Sequence, residues 1–205
     1  YKGVNDELKS KDIPYRKLKA KWFFFGAMLE ESFHTLEGLA EFAQQHNIKI
    51  AFNPSTYLAE KGTRHLKHIL SRTELLVLNR EEASLLVGKD SMEGLLFKLK
   101  SLGPKIVAIT DGKNDLYVVD EKHIYTAKPS FVKIVDATGA GDAFASSFLS
   151  GLIRKNDIEF AIKLGIANSQ SVIMHYGAKN ILLSYREALK AMKKLKVKIH
   201  KKKIR

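Results

Sequence analysis

Five short apolar runs, each closed by a polar or small residue, constrain this chain more than anything else in it. Trp22–Phe25 ends at Gly26, Ile48–Phe52 at Asn53, Leu75–Leu78 at Asn79, Ile106–Ile109 at Thr110, and the run from Phe131 to Val135 at Asp136. Between them, apolar residues recur at helical spacing: Phe33, Leu36, Leu39, Ala40 and Ala43, then Leu66, Ile69 and Leu70, then the segments 81–87 and 92–102. Strand followed by helix, repeated, predicts a parallel sheet with helices on both faces. Ligands in such sheets bind beyond the carboxyl ends of the strands, so the five closing residues are expected on one rim. Leu116–Val119 and His123–Thr126 flank Asp120-Glu121-Lys122 and read as a β-hairpin. Ser32 is the expected cap of the first helix. Three helices follow the fifth run, and residues 196–205 read as a basic tail, solvated or frayed. The expected organisation is one α/β core over residues 1–195.

The fifth run leads into Asp136-Ala137-Thr138-Gly139-Ala140-Gly141-Asp142, and then into a helical pattern of Ala143, Phe144, Phe148, Leu149, Leu152 and Ile153. A strand should stop, the backbone turn tightly, and a helix begin with an acid in its first turn. N–H groups at a helix start point the same way and carry partial positive charge, which suits an anion. Glycines let a phosphate approach the main chain without meeting a Cβ. Beside a bound anion, Asp142 is electrostatically costly unless it acts as a base. The plainer reading is an ordinary tight connection with a small-residue helix face.

Asp136 to Asp142 resembles the second signature of the ribokinase-like (PfkB) carbohydrate kinases. The resemblance implies a three-layer α/β/α sandwich with a mostly parallel central sheet and a hairpin. It implies ATP and Mg²⁺ as cofactors, and a sugar or nucleoside as acceptor. By the same resemblance, the amides of Gly139, Ala140 and Gly141 form an anion hole, Thr138 belongs to the nucleotide site, and Asp142 deprotonates the attacking hydroxyl. Asn79-Arg80-Glu81-Glu82 is similar to the family's Asn-x-x-Glu motif, credited with placing magnesium; Asp136 is a further candidate for orienting the metal. Oxygen ligands of this type suit Mg²⁺, which keeps part of its hydration shell. A helix cap explains Asn79 and Glu82 equally well, because Asn at N-cap with Glu at N3 is a capping-box pattern. Thr110-Asp111-Gly112 is similar to the Thr-x-Gly that lines the nucleotide site, with Asp115 where relatives often have another glycine. Asn168 sits where related kinases support the base; the alternative is a buried Asn tied to backbone groups.

The resemblance runs from about Trp22 to Leu189 but covers only the C-terminal two-thirds of the family's usual length. The expectation is therefore an N-terminally truncated form. It would be a fragment or a naturally short chain that borrows a substrate surface, with a homodimer or a missing N-terminal segment covering an open sheet edge. The absence of an initiating Met points the same way.

Composition removes several alternatives. There is no cysteine, which excludes disulfides, thiolate metal sites and thiol catalysis and fits a reducing cytoplasm. No apolar run approaches the ~20 residues of a membrane span, so no membrane partner is expected. His65 and His68 lack the further ligand a zinc site needs. A dinucleotide-dependent oxidoreductase is disfavoured because Phe144 stands where a third glycine should be, and a P-loop enzyme because no Gly-Lys-Ser/Thr occurs. Two other readings stay open: a nucleotide-binding or regulatory remnant without an acceptor site, and a nucleic-acid-binding α/β domain suggested by the net charge of +13. The charge is spread along helical faces and the tail, so nucleic acid is disfavoured as a partner.

Overall fold

In the computed structural model, which describes residues 3–204, the apolar runs fold as the alternation predicts, with one exception. The chain divides between Ala108 and Ile109 into two compact units. In the first, β1 (Trp22–Phe25), β2 (Lys49–Phe52) and β3 (Thr73–Asn79) pair in parallel, Phe25 opposite Phe52 and Phe52 opposite Leu76. The connecting helices are α1 (Glu30–Gln45), α2 (Thr56–Glu60), α3 (Gly62–Leu70), α4 (Arg80–Val87) and α5 (Met92–Ser101). Residues on β2 and β3 alternate less than they saturate: Ile50, Ala51, Phe52, Leu75, Leu76, Val77 and Leu78 are all buried, as a sheet covered on both faces requires. In β1 only Phe25 is buried and Phe24 is 42% exposed, so this strand is core in part. At the amino ends of the strands, Glu74 receives Lys49 at 3.2 Å and Lys105 at 3.1 Å. Burial pushes its carboxyl up, and the two ammonium groups outweigh that and leave it lowered.

The division falls inside β4 (Ile106–Thr110). The second unit holds β5 (Leu116–Val119) and β6 (His123–Ala127), the predicted hairpin. Asp120 explains its turn: one carboxylate oxygen accepts from the Lys122 and His123 N–H groups at 2.7 Å each, the other from the Tyr125 hydroxyl at 3.0 Å. Then follow α6 (Ala140–Lys155), α7 (Ile158–Ile173) and α8 (Tyr185–Lys194). α6 and α7 pack closely because small residues face each other. A Cβ on Gly151 would lie 2.7 Å from the Ala161 Cα, and one on Gly165 2.8 Å from the Phe144 ring. Phe148, fully buried, anchors α6; truncation to Ala would cost about 3–5 kcal/mol. This packing fixes the start of α6, where the glycine turn lies.

Three local expectations are corrected. Residues 131–136 form no strand. The Val135 and Asp136 N–H groups both donate to the Ile173 carbonyl at the end of α7, and Phe131 and Ile134 face solvent. β-branched residues extended this segment, but its hydrogen bonds go to a helix end instead of a ladder. Ser32 does not cap α1: the N-cap is Leu29, and the buried Ser32 hydroxyl accepts from the Leu8 N–H at 2.8 Å. The region expected as a basic tail contains β7 (Ile199–Lys203), antiparallel to β6, with Lys201 opposite Tyr125. The Lys201 ammonium lies 5.3 Å above the Tyr125 ring, one reason a lysine-rich strand pairs at all. Lysines on a sheet edge also discourage further strand addition.

Candidate active site at two helix starts

The turn before α6 is built by Asp136 and by one left-handed glycine. One Asp136 carboxylate oxygen accepts from the Thr138 N–H at 2.9 Å, and the other from the Gly177 N–H at 3.0 Å. The Thr138 hydroxyl, then its N–H, then the Gly177 N–H, hold the Asp136 carboxyl below its ordinary range. Asp136 therefore latches the turn to the loop after α7. Gly139 is the N-cap, with φ +80°. A Cβ there would lie 2.1 Å from the Ala178 carbonyl oxygen. Only glycine satisfies both the angle and the clearance.

At this helix start no side chain caps the backbone. The N–H groups of Gly139, Gly141 and Asp142 have no acceptor among the described residues. Ala140 departs from the expected set: its N–H donates to the Ala137 carbonyl at 3.2 Å. The Asp142 side chain is exposed, and its carboxylate has no hydrogen-bond or ion-pair partner among the described residues. Its own carbonyl accepts from the Ser146 hydroxyl at 2.7 Å. Open N–H groups beside an unpartnered carboxylate can hold an anion and accept a proton.

The start of α4 is built the opposite way. Asn79 Oδ1 accepts from the Glu82 N–H at 2.8 Å, and Glu82 Oε2 accepts from the Asn79 N–H at 2.9 Å, a complete capping box. Glu82 is buried, and its Oε1 takes the Thr56 hydroxyl at 3.5 Å. Nearby, the Asn53 side-chain amide donates to the Val77 carbonyl at 2.8 Å. Thr56 is a member of this network that sequence reasoning missed; it lies two residues beyond Pro54, and nothing in its local pattern marks it.

Of the remaining candidates, Thr110 ends β4 and Gly112 follows at φ +55°, in an exposed turn where the Asn114 N–H donates to the Asp111 carbonyl. Asn168 takes the structural alternative. It is buried, donates to the Ser147 hydroxyl at 2.7 Å and accepts from the Leu183 N–H at 2.9 Å, tying α7 to α6 and to the approach to α8. Gly177 and Ala178 were legible only as small residues after α7; their part in shaping the turn is visible in three dimensions alone. Among the described residues no three His, Asp or Glu side chains cluster to hold a metal by themselves. The oxygen donors of Asn79, Glu82 and Asp136 are each engaged in backbone hydrogen bonds. In each unit taken separately, oxygens engaged in this way could meet a hydrated Mg²⁺ through water. No helix among the described residues is long and apolar enough to cross a membrane.

The fold is a three-layer α/β sandwich with a mostly parallel central sheet. It superimposes on ribokinase from Thermotoga maritima with a TM-score of 0.80 at 23% identity, covering 94% of this chain and 64% of that one. An E. coli protein described as a ribokinase II, solved with ATP and Mg²⁺, gives a TM-score of 0.82 at 16% identity, covering 92% of this chain and 64% of that one. Residues 20–184 match the pfkB family of carbohydrate kinases, and the chain belongs to that family. Among curated relatives it is 32% identical to a cytidine kinase of Thermococcus kodakarensis, covering 85% of this chain and 63% of the relative. It is 28% identical to an ATP-dependent 6-phosphofructokinase of Thermoanaerobacterium thermosaccharolyticum, covering 70% of this chain and 46% of the relative. The chain thus spans about half to two-thirds of the length of these relatives.

Proposed function

We propose that this chain carries the phosphate-handling machinery of a kinase that passes the γ-phosphoryl group of ATP to a hydroxyl of a sugar or nucleoside. The observation that carries this reading is the open start of α6, with free N–H groups at Gly139, Gly141 and Asp142 beside an unpartnered carboxylate. Phosphoryl transfer asks little covalent work of a protein; positioning and charge neutralisation dominate. Asp142 accepts the proton of the attacking hydroxyl. The open amides, with the α6 dipole behind them, hold the phosphate oxygens as charge shifts, a role commonly worth a few kcal/mol per donor. Asp136 and the Gly177–Ala178 turn keep those amides aligned, and Thr138 and Gly112 line the approach. Thr110 borders the nucleotide, while Asn168 supports it indirectly by holding α7 to α6. Asn79 and Glu82 would hold Mg²⁺ through its water shell. When bound there, the ion would supply neutralisation of the phosphate charge.

The names of the relatives support the acceptor class, because they include kinases of a nucleoside and of a sugar phosphate. The test is Asp142→Asn, assayed with ATP, Mg²⁺ and a panel of sugars and nucleosides. ATP binding should persist while turnover falls about 10²–10⁴-fold, the usual weight of a positioned general base. Unchanged turnover would remove Asp142 from the mechanism. ATP binding by the wild-type chain with no turnover on any acceptor would instead favour a nucleotide-binding role.

A further inference from the structure

The second unit contains a basic cleft that phosphoryl transfer does not use. It lies between α7 and α8, has a volume of about 450 Å³, and is lined by Lys163, Arg186, Leu189, Lys190, Met192 and Lys193. Four of the six lining residues are cations and none is an acid. None of the four makes an ion pair among the described residues. Glu187, the acid nearest in sequence, is committed to the capping box at the start of α8, where its carboxylate accepts from the Ser184 N–H at 2.8 Å. Residues 185–205 contain ten of the Lys and Arg residues and a single acid, giving +9 of the chain's +13. Of these ten, Arg186, Lys190 and Lys193 line the cleft with Lys163, around an apolar floor.

We infer that this cleft binds a single strand of nucleic acid. Arg186, Lys190 and Lys193 follow one another along one face of α8. At about 1.5 Å per residue they span roughly 10 Å. A strand stacked as in a duplex carries one phosphate per roughly 3.4 Å of axis, so about three fall over that length. Lys163 lines the other side from α7, so cations border the cleft from both helices. Leu189 and Met192 form a floor that bases can lie on, and methionine adapts its shape to flat partners. At the amino end of the stripe, the Arg154 guanidinium stacks 4.0 Å above the Tyr185 ring, a planar pair of the kind that unpaired bases stack on. β7 adds exposed lysines to the same unit but offers no comparable floor, so it contributes attraction without seating. Mutually repelling cations held around apolar surface are stabilised by an anion that has apolar faces, and a nucleic-acid strand has both.

The experiment is fluorescence anisotropy with a labelled 12-nucleotide oligouridylate, titrated at several salt concentrations. Binding is expected with a log K against log[salt] slope of about −2 to −3, since each neutralised phosphate on a single strand contributes about −0.7. Lys190→Glu combined with Lys193→Glu should weaken binding at least tenfold and flatten the slope. Met192→Gln should weaken binding several-fold with the slope unchanged. Lys163→Gln serves if the double reversal fails to fold, and should shift the slope by about 0.7. Asp142→Asn should bind the oligonucleotide as the wild type does, which keeps this result separate from the kinase reading. Wild-type affinity in the charge-reversed protein would overturn the inference. So would displacement by inorganic polyphosphate at equal charge with Met192→Gln silent, which would assign the cleft to a free phosphate chain. Binding to anionic lipid vesicles but not to the oligonucleotide would overturn it as well.

Discussion

The starts of α4 and α6 carry the two motifs that suggested phosphate chemistry, and they are finished in opposite ways. At α4, Asn79 and Glu82 satisfy each other's backbone N–H groups, and Glu82 is buried under Thr56. At α6 a glycine occupies the N-cap, no side chain reaches back, and three N–H groups stay open. A closed helix start is a structural part first, and any metal-placing role must be shared with its capping role. An open one leaves orphan donors that water or a ligand has to fill. The difference separates a motif that satisfies its own backbone donors from one that leaves them open.

Four experiments press on this contrast, from the largest expected effect downward. Gly139→Ala places a Cβ against the Ala178 carbonyl at a left-handed angle. It should cost more than about 2 kcal/mol, adding clash to the αL penalty. On the proposed function, ATP should stabilise the wild type against thermal unfolding, and Gly139→Ala should abolish that stabilisation. Asn79→Ala removes the cap from the closed start and should cost about 1 kcal/mol by urea unfolding. A larger loss of ATP-dependent stabilisation than of intrinsic stability would show that α4 is not merely structural.

Asp136 gives a pH test of the latch. Its folded carboxyl is lowered from an ordinary 3.8, so the stability it adds is present above that value and is lost as pH falls through the folded value. Glu74, Asp120 and Glu187 are lowered too, so both proteins lose stability from pH 6 down to pH 3, and the wild type should lose more than Asp136→Asn; equal losses would mean the latch carries no free energy. Last, Thr56→Val removes a long hydrogen bond to Glu82 and should change stability by well under ~1 kcal/mol. A change in the Mg²⁺ concentration needed for half-maximal activity, at unchanged stability, would sharpen the case that Glu82 serves a metal.

Most of the architecture was legible because periodicity is a strong signal. β4 falls at Ile106–Thr110 and the hairpin around Asp120 as read from the residues. Failures arose where the partner, not the segment, decides. Residues 131–136 have strand chemistry, but their N–H groups found a helix end. Residues 199–203 look like solvated charge, yet β6 offers them a ladder and an aromatic ring. The seven residues from Asp136 to Asp142 pointed to amides at Gly139, Ala140 and Gly141; those of Gly139 and Gly141 are open, that of Ala140 is not, and that of Asp142 is open as well. That Ala140 is tied back to Ala137 is a local turn detail, whereas Asp136 holding Gly177 is a contact 41 residues apart that no local pattern encodes. Asn168 shows the converse: its residue type suited a ligand, and burial gave it a joinery role.

The clearance at Gly139 has a consequence for anyone altering this protein. Because the obstruction is the main-chain oxygen of Ala178, no choice of side chain at 178 can relieve it. Diversifying position 139 by itself should return glycine alone. Variation there becomes accessible only alongside insertions or deletions that re-route residues 177–178, so the two segments should be engineered as a single unit.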